Sequence, residues 1–289
     1  MGIPSSLIRQ VSAELYERAL KRVPFDARQA LQAADAVEPD PTARHTLRLM
    51  MRSAEAAERE GHFVCSDAGV PVYVLHVGTQ ARFEGDVRQA IVDGFEDLVA
   101  SIHPPLLPHV THPLTLQRGY RGRHMPIISF DLVDGSDHVE IICSPKALGT
   151  GRWEALETFS FPDLRTIETF VLDVVLRAGS QPCPPVVIGV GIGGTMEQAA
   201  RMAKEATLRP IGSPAVEPMV AAMEARLLQA VNDTGFGPMG TGGRATASAV
   251  HIDYGAGHGF TPVAVAFNCW INRRTRARLH NDGRYEVLE

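Results

Sequence analysis

The stretch QPCPPVVIGVGIGGTMEQAARMAKE, residues 181–205, decides how this chain folds. Its β-branched and apolar run, residues 186–192, favours an extended backbone and predicts a buried strand. Gly193 and Gly194 permit a tight turn, after which Thr195 is placed to cap the following helix. Such a turn aims backbone N–H groups and the positive end of a helix at one point, so we expect it to suit an anion.

The bulk composition is that of an ordinary soluble globular protein. The chain has 289 residues, is 45% hydrophobic and 21% charged, and carries a net charge of −5. The sequence has no block of basic residues, so it offers no positively charged surface typical of nucleic-acid binding. No apolar run is long enough to span a bilayer. The first residues predict an amphipathic helix and not a signal peptide, so we expect a cytoplasmic protein that binds neither nucleic acid nor membrane.

The pattern of helices and short strands predicts a mixed α/β fold, with helices covering mixed sheets, in a single domain over residues 1–289. Residues 1–60 have helical periodicity and are predicted to form a cap. Residues 61–276 are predicted to form the α/β core that holds the site, and residues 277–289 a surface tail.

Within the core, residues 126–133 and 138–143 are predicted to pair as a hairpin across Asp134-Gly135. The preceding stretch, residues 106–126, has no periodicity and is rich in Pro, Gly, His and Arg. A loop of this length inside a compact domain is more often functional than idle.

The glycine-rich segment Gly189–Gly194 also satisfies the G-x-G-x-x-G pattern of dinucleotide-binding proteins. That fingerprint requires an acidic residue at the end of a second strand, and Glu217 does not follow a predicted strand. A nucleotide-binding α/β domain, which would bind its cofactor without iron, therefore stays open as a weaker alternative.

The four cysteines have none of the short spacings of zinc knuckles or ferredoxins, so any site they form is assembled by the fold. Cys65, Cys183 and Cys269 are each predicted beside a turn or loop at a strand end. The ordinary explanation for any one of them is a buried structural cysteine. The alternative is that three thiolates hold three irons of a cubane cluster and leave the fourth iron open.

Seven segments between about residues 65 and 276 carry a common signature. They are C-P-P at 183–185, I-G-V-G-I-G-G-T at 188–195, EQAARMAKEA at 197–206, RPIG at 209–212, C-S-D-A-G at 65–69, GPMGTGGRATASAVHID at 237–253, and the run of His258, P-V-A-V at 262–265, Cys269 and Arg273-Arg274. In these segments the chain resembles the alpha domain of class I, iron–sulfur-dependent fumarases and the related L-tartrate dehydratase alpha subunit.

The resemblance implies a [4Fe–4S] hydro-lyase that adds or removes water across a small dicarboxylate, with the open iron acting as a Lewis acid. It implies Cys65, Cys183 and Cys269 as ligands, Asp67 and His258 as catalytic residues, and Lys146, Gly193, Gly194 and Thr195 as substrate-binding residues. The alternative for Asp67 is a turn-forming role, and for His258 a structural role in its loop. Cys143 matches no ligand position and is predicted to pack within a strand.

Two loops depart from the family pattern. Tyr120–Pro126 stands where relatives resemble N-T-G-D-N-x-P, and Pro145–Arg152 where they resemble P-K-G-G-G-S-E-N, of which Lys146 survives. We hypothesise that the substrate or the partner surface differs from that of an ordinary fumarase. The alternative is a non-catalytic relative that binds a cluster or serves as an interaction module.

In single-chain members of this family, a C-terminal beta domain follows and completes the active site. We therefore expect this chain to need a separate beta subunit, and we allow homo-oligomerisation of the alpha/beta unit.

Overall fold

The computed structural model describes residues 2–288 as a mixed α/β protein, which confirms the predicted fold class. The helices are α1 (Ser5–Lys21), α2 (Phe25–Val37), α3 (Pro41–Glu60), α4 (Val87–Ser101), α5 (Leu148–Gly151), α6 (Leu164–Ala178), α7 (Met196–Ala206) and α8 (Pro218–Asp233), with a 3₁₀ turn at Pro238–Gly240. The strands are β1 (Ile3–Pro4), β2 (Val72–Gly78), β3 (Phe83–Glu84), β4 (Val110–Thr111), β5 (Arg118–Gly119), β6 (Ile127–Val133), β7 (His138–Cys143), β8 (Ala155–Ser160), β9 (Val186–Gly193), β10 (Ala247–Gly255), β11 (Phe260–Asn268), β12 (Thr275–His280) and β13 (Tyr285–Leu288). No helix in the described part of the chain combines the length and the apolar character needed to cross a membrane.

The contacts divide the chain into two compact units, each assembled from separate segments. Unit 1 comprises the chain up to Pro24, Ala54–Ala147, and the chain from Arg273 onward, whereas unit 2 comprises Phe25–Ser53 and Leu148–Asn272. These segments do not coincide with the predicted cap, core and tail. Because a compact unit is not by itself a domain, the single domain stays a prediction.

Unit 1 contains a five-stranded sheet in the order β13-β12-β7-β2-β6. β2 is parallel to β6 and antiparallel to β7, so β2 lies between the two strands that were predicted to form a hairpin. That hairpin prediction was wrong, although both strands exist. Residues 277–289, predicted as a surface tail, instead supply β13 and most of β12, where Ala277 and Leu279 are fully buried.

Helices α1 and α4 pack together in unit 1 at a point of close approach. A Cβ on Gly94 of α4 would lie 2.3 Å from the Arg9 carbonyl oxygen of α1, so only glycine lets the two helices meet there. Tyr16 and Leu15 of α1 join Tyr73 of β2 in the core of this unit.

Unit 2 contains a four-stranded sheet in the order β10-β9-β11-β8, with β9 parallel to β10 and antiparallel to β11. On β9 the residues Val186, Ile188 and Val190 face a core built with α6 and α8. The alternate residues Gly189 and Gly191 face α7, because successive side chains of a strand point to opposite faces.

Small residues let α7 lie directly against this sheet. A Cβ on Gly189 or Gly191 would lie 1.9 or 2.0 Å from a carbonyl oxygen of α7. On β11 the residues that join the α7 side are likewise small, Ala264 and Ala266. Gly189 and Gly191, the first two glycines of the 189–194 motif, therefore serve helix packing.

Candidate active site

Two of the three predicted ligand cysteines lie at the same end of the unit 2 sheet. Cys183 precedes β9, and Cys269 directly follows β11. Because β11 runs antiparallel to β9 with Asn268 opposite Val187, the end of β11 lies beside the start of β9. The backbone N–H of Trp270 donates to the carbonyl oxygen of Cys183 over 3.1 Å. Strand register thus brings together two cysteines that are far apart in sequence.

Both of these cysteines lie in tight turns and are partly exposed. Cys183 has φ of +58°, a left-handed conformation that is uncommon outside glycine and occurs often at functional sites. Its N–H donates to the Ser180 carbonyl over 3.2 Å. Cys269 accepts from the Asn272 N–H over 2.9 Å, so its backbone is also held by a turn. None of the chain's four cysteines, all within residues 2–288, forms a disulfide.

Cys65 lies in unit 1, in the turn of residues 65–69 between α3 and β2, and is partly exposed. The Asp67 carboxylate accepts from the Gly69 N–H over 2.9 Å, which is the turn-forming role considered as its alternative. Gly69 has φ of +71°, and a Cβ there would lie 2.8 Å from the carbonyl carbon of Lys146. The turn therefore needs its glycine. Asp67 itself is exposed.

Lys146 is buried and lies next to this turn. Its backbone exchanges two hydrogen bonds of 2.8 Å with Val70, which follows Gly69.

Cys143 differs from the other three cysteines, because it is a fully buried residue of β7. Burial raises the pKa of its thiol well above the ordinary range, which favours the neutral thiol of a packing residue. Its predicted packing role is confirmed.

The predicted anion-binding turn lies at the opposite end of β9 from Cys183. β9 has eight residues, which at roughly 3.3 Å each span about 26 Å. Gly193 and Gly194 both have positive φ, as the turn requires. Thr195 occupies the N-cap position of α7, but its hydroxyl donates to the Glu197 carboxylate over 2.7 Å. That hydrogen bond lowers the pKa of Glu197, so an acid of this chain already lies in the positive first turn of the helix.

His258 lies at this same far end, in the loop between β10 and β11. It is exposed, and its ring stacks on Phe260 at 5.4 Å between ring centroids. Its Nδ1 accepts from the Phe260 N–H over 3.3 Å. Unit 2 therefore groups His258 with the glycine turn and separates both from Cys183 and Cys269. The roles that the resemblance implies for these residues stay predictions.

The structure also identifies two residues of unit 1 that the sequence did not single out for a role. Arg273 is only 4% exposed; its Nη1 donates to the Asp67 carbonyl, and its Nη2 has no hydrogen-bond partner among the described residues. His109 lies in the long loop, and its Nε2 is likewise buried and unpaired within residues 2–288. Burial lowers the pKa of His109. The only sequence signal for His109 was its position in a long loop without periodicity. The only signal for Arg273 was its place in a segment that resembles the family.

A second group of side chains of metal-ligating types lies elsewhere in unit 1. Asp137, His138 and His280 each offer a ligand atom within 4.8 Å of the others. His138 and His280 are directly opposed on β7 and β12, with ring centroids 5.7 Å apart. This nitrogen and oxygen set contains no thiol, so it is not the cysteine site.

Comparison with known proteins agrees with the sequence motifs. The family model described as fumarate hydratase (Fumerase) matches residues 9–278. A protein of Methanocaldococcus jannaschii, provisionally named L(+)-tartrate dehydratase subunit alpha, is 33% identical over 284 residues, which cover 96% of this chain and 99% of the relative. The L(+)-tartrate dehydratase subunit alpha of Escherichia coli strain UTI89 is 29% identical over 273 residues, covering 92% of this chain and 89% of the relative.

Proposed function

The chain belongs to the fumarate hydratase (Fumerase) family, and on that premise we propose that it is the alpha subunit of an iron–sulfur-dependent hydro-lyase. The reaction is the reversible addition of water to a small dicarboxylate of the fumarate/malate or tartrate type. The relatives are named as tartrate dehydratase alpha subunits, which supports both the reaction class and the need for a separate beta subunit.

The single observation that carries the metal part of the proposal is the pairing of Cys183 and Cys269 at one end of the unit 2 sheet. Thiolates are the ligands that iron–sulfur clusters take, and both of these residues are partly exposed. Cys65, the partly exposed cysteine of unit 1, is the proposed third ligand. The donor set therefore fits a cluster with three cysteine ligands and one open iron. When bound, that iron supplies a Lewis acid for the substrate hydroxyl and carboxylate.

Asp67 and Lys146 are the proposed substrate-facing residues of unit 1. Both adjoin the turn that carries Cys65, one within it and the other hydrogen-bonded beside it. The exposed Asp67 carboxylate is placed to accept a proton or a hydroxyl hydrogen bond, whereas Lys146 would bring a positive charge towards an anionic substrate.

His258, Gly193, Gly194 and Thr195 remain proposed substrate contacts. Their distance along β9 means that they do not touch a substrate held near Cys183 of the same chain. We propose that they act in the site of a neighbouring copy, which gives a reason for the homo-oligomerisation that the sequence analysis allowed. An exposed histidine in a loop is a suitable residue to reach across a subunit interface.

Anaerobic reconstitution with iron and sulfide, followed by visible absorption and EPR spectroscopy, tests the cluster. We expect a cluster signal that is lost in Cys183→Ala and in Cys269→Ala. Cys143→Ala is the matched control, because it also removes a thiol but leaves the proposed ligands intact. A missing signal, or one unchanged by Cys183→Ala, would refute the proposal.

Hydro-lyase activity is then measured on the reconstituted chain alone and together with its beta subunit. Turnover of fumarate, L-malate or L-tartrate only in the presence of the beta subunit is the expected result. Full turnover by the isolated chain would contradict the proposed subunit requirement. A cluster that forms without any hydration activity would favour the non-catalytic alternative.

A further inference from the structure

His138 and His280 lie directly opposite each other on adjacent antiparallel strands of unit 1. The register of β7 and β12 pairs His138 with His280, and their ring centroids are 5.7 Å apart. Directly opposed side chains on one face of a sheet are the ones that interact. Two imidazoles that are far apart in sequence therefore share one small patch of the sheet.

The main-chain hydrogen bonds of His280 show that this cross-strand pair is of the close type. Its N–H donates to the Arg284 carbonyl over 2.9 Å, and its carbonyl accepts from the Gly283 N–H over 2.9 Å. Both groups point to the turn that leads into β13, on the side away from β7. His138 and His280 thus form a non-hydrogen-bonded pair, in which Cα atoms lie about 4.5 Å apart and side chains are closer than in a hydrogen-bonded pair.

Asp137 adds a carboxylate to the two imidazoles. Its Oδ1 lies 3.5 Å from His138 Nδ1, and one ligand atom each of Asp137, His138 and His280 lies within 4.8 Å of the other two. Two ligands of one zinc ion are about 3.3 Å apart, because bonds of about 2.0–2.1 Å meet at a tetrahedral angle. Asp137 is exposed and both histidines are partly exposed, so small rotations of these side chains can close the remaining gap.

Neighbouring side chains support a cation at this position. Ser136 Oγ lies 3.0 Å from His138 Nδ1, which is the kind of outer contact that fixes the ring of a metal-binding histidine. Glu286 Oε1 lies 4.0 Å from His280 Nε2. Arg278 already holds Glu286 over 3.2 Å, so we do not count this second carboxylate as a ligand. Two imidazoles and one carboxylate are a ligand set suited to zinc.

This group of three lies at the other end of β7 from the Cys65 turn. His138 begins the strand and Cys143 ends it, shortly before Lys146, whose backbone pairs with Val70 beside that turn. The six residues of β7 span about 20 Å at roughly 3.3 Å each. The group is therefore separate from the cysteine that unit 1 contributes to the proposed cluster.

We propose that Asp137, His138 and His280 form a second metal site, which binds one Zn²⁺ and clips β12 to β7. Three protein ligands leave one coordination position for water. The ion joins a strand from the end of the chain to a strand from its middle, so its binding stabilises the sheet of unit 1. This site is independent of the function proposed above.

Calorimetric titration of the full chain with ZnCl₂ tests the site. Iodoacetamide first blocks the partly exposed Cys65, Cys183 and Cys269, because their thiolates would also bind zinc. We expect a single zinc ion to bind each alkylated chain. MgCl₂ should give no binding, since Mg²⁺ requires oxygen ligands in octahedral geometry.

His138→Phe and His280→Phe each keep an aromatic ring in the pair and remove one ligand. Each should weaken zinc binding by about 100-fold or more, because loss of an outer contact alone costs about 10- to 100-fold. Asp137→Asn changes an exposed residue, should weaken binding by about tenfold or more, and serves as the second variant if a histidine variant does not fold. His62→Phe is the matched control and should bind as the wild type does, because His62 is exposed beside one acid, Glu60 at 3.8 Å, and belongs to no such group of three among residues 2–288.

Thermal unfolding measures the stabilisation of the sheet. Zinc at about 100 times its Kd should raise the Tm of the wild type and of His62→Phe by about 5 °C, and should leave the Tm of His280→Phe within about 1 °C. The inference is overturned if the alkylated wild-type chain binds no zinc, if bound zinc leaves its Tm unchanged, or if Mg²⁺ binds as tightly as Zn²⁺. It is equally overturned if His280→Phe and Asp137→Asn both bind zinc within about threefold of wild type.

Discussion

Replacing Gly189 with alanine tests whether Gly189 and Gly191, the first two glycines of the 189–194 motif, serve helix packing. A Cβ at Gly189 would lie 1.9 Å from the carbonyl oxygen of Ala203 in α7. Ordinary contacts between heavy atoms begin at about 3.5 Å, so helix and strand would have to separate by about 1.5 Å. The obstacle is a backbone atom, which cannot be relieved by a change of side-chain rotamer.

The expected cost follows from that geometry. Overpacking a filled core costs about 1–3 kcal/mol, and a backbone obstacle places Gly189→Ala near the upper end, at about 3 kcal/mol. For a protein of this size, such a loss corresponds to a fall in Tm of about 6–12 °C. Gly191→Ala should behave in the same way, because its Cβ would lie 2.0 Å from the Ala199 carbonyl oxygen.

Thermal unfolding followed by circular dichroism measures the effect. Gly119→Ala is the matched control, because the nearest atom to its Cβ would be 4.0 Å away, and we expect it to stay within about 0.5 kcal/mol of wild type. If Gly189→Ala unfolded at the same temperature as Gly119→Ala, the packing explanation would be wrong.

Two further predictions concern a buried ion pair and the shared site. Glu224 is 4% exposed, pairs with Arg209 and accepts from the backbone N–H of Ile252, so Glu224→Ala should lower the free energy of unfolding, measured by chemical denaturation, by about 3 kcal/mol or more. Glu205→Ala, which removes the surface ion pair of α7 with Arg201, should lower it by less than about 0.5 kcal/mol. Equal losses in the two variants would contradict the role of burial. The second prediction uses two variants that are each expected to be inactive, His258→Gln and Cys183→Ala, mixed in equal amounts and assembled with the beta subunit. If the oligomer is a dimer, the mixture should show about a quarter of wild-type activity. Half of the dimers contain one chain of each variant, and each of these mixed dimers has one intact site and one defective site. No recovery in mixed oligomers that are shown to form would refute a site shared between copies.

Much of the local structure was predictable because it depends on residues close together in sequence. The run at 186–192 predicts β9, and the glycines that follow predict its turn, because β-branched residues and positive φ are constraints of single residues and their neighbours. The helix predicted to follow Thr195 was observed as α7, Met196–Ala206. The cysteine contexts identified the family for the same reason, since each motif is contiguous.

The tertiary structure decided what depends on distant segments. β2 separates the two strands of the predicted hairpin, because strand order is set by packing between elements and the local turn does not exclude an inserted strand. Arg273 became a buried cation with an unpartnered Nη2 among residues 2–288 only when the segment before β12 and the Cys65 turn were placed together.

The stretch at residues 181–205 shows the same division within one segment. By itself it determined a strand, a turn and a helix, with a cysteine at the start. Only the pairing of β9 with β11 decided that Cys183 lies beside Cys269 while the glycine turn lies beside His258, about 26 Å away. An extended strand separates its two ends by its full length, so which residues share a site was settled by the strands that pair along it.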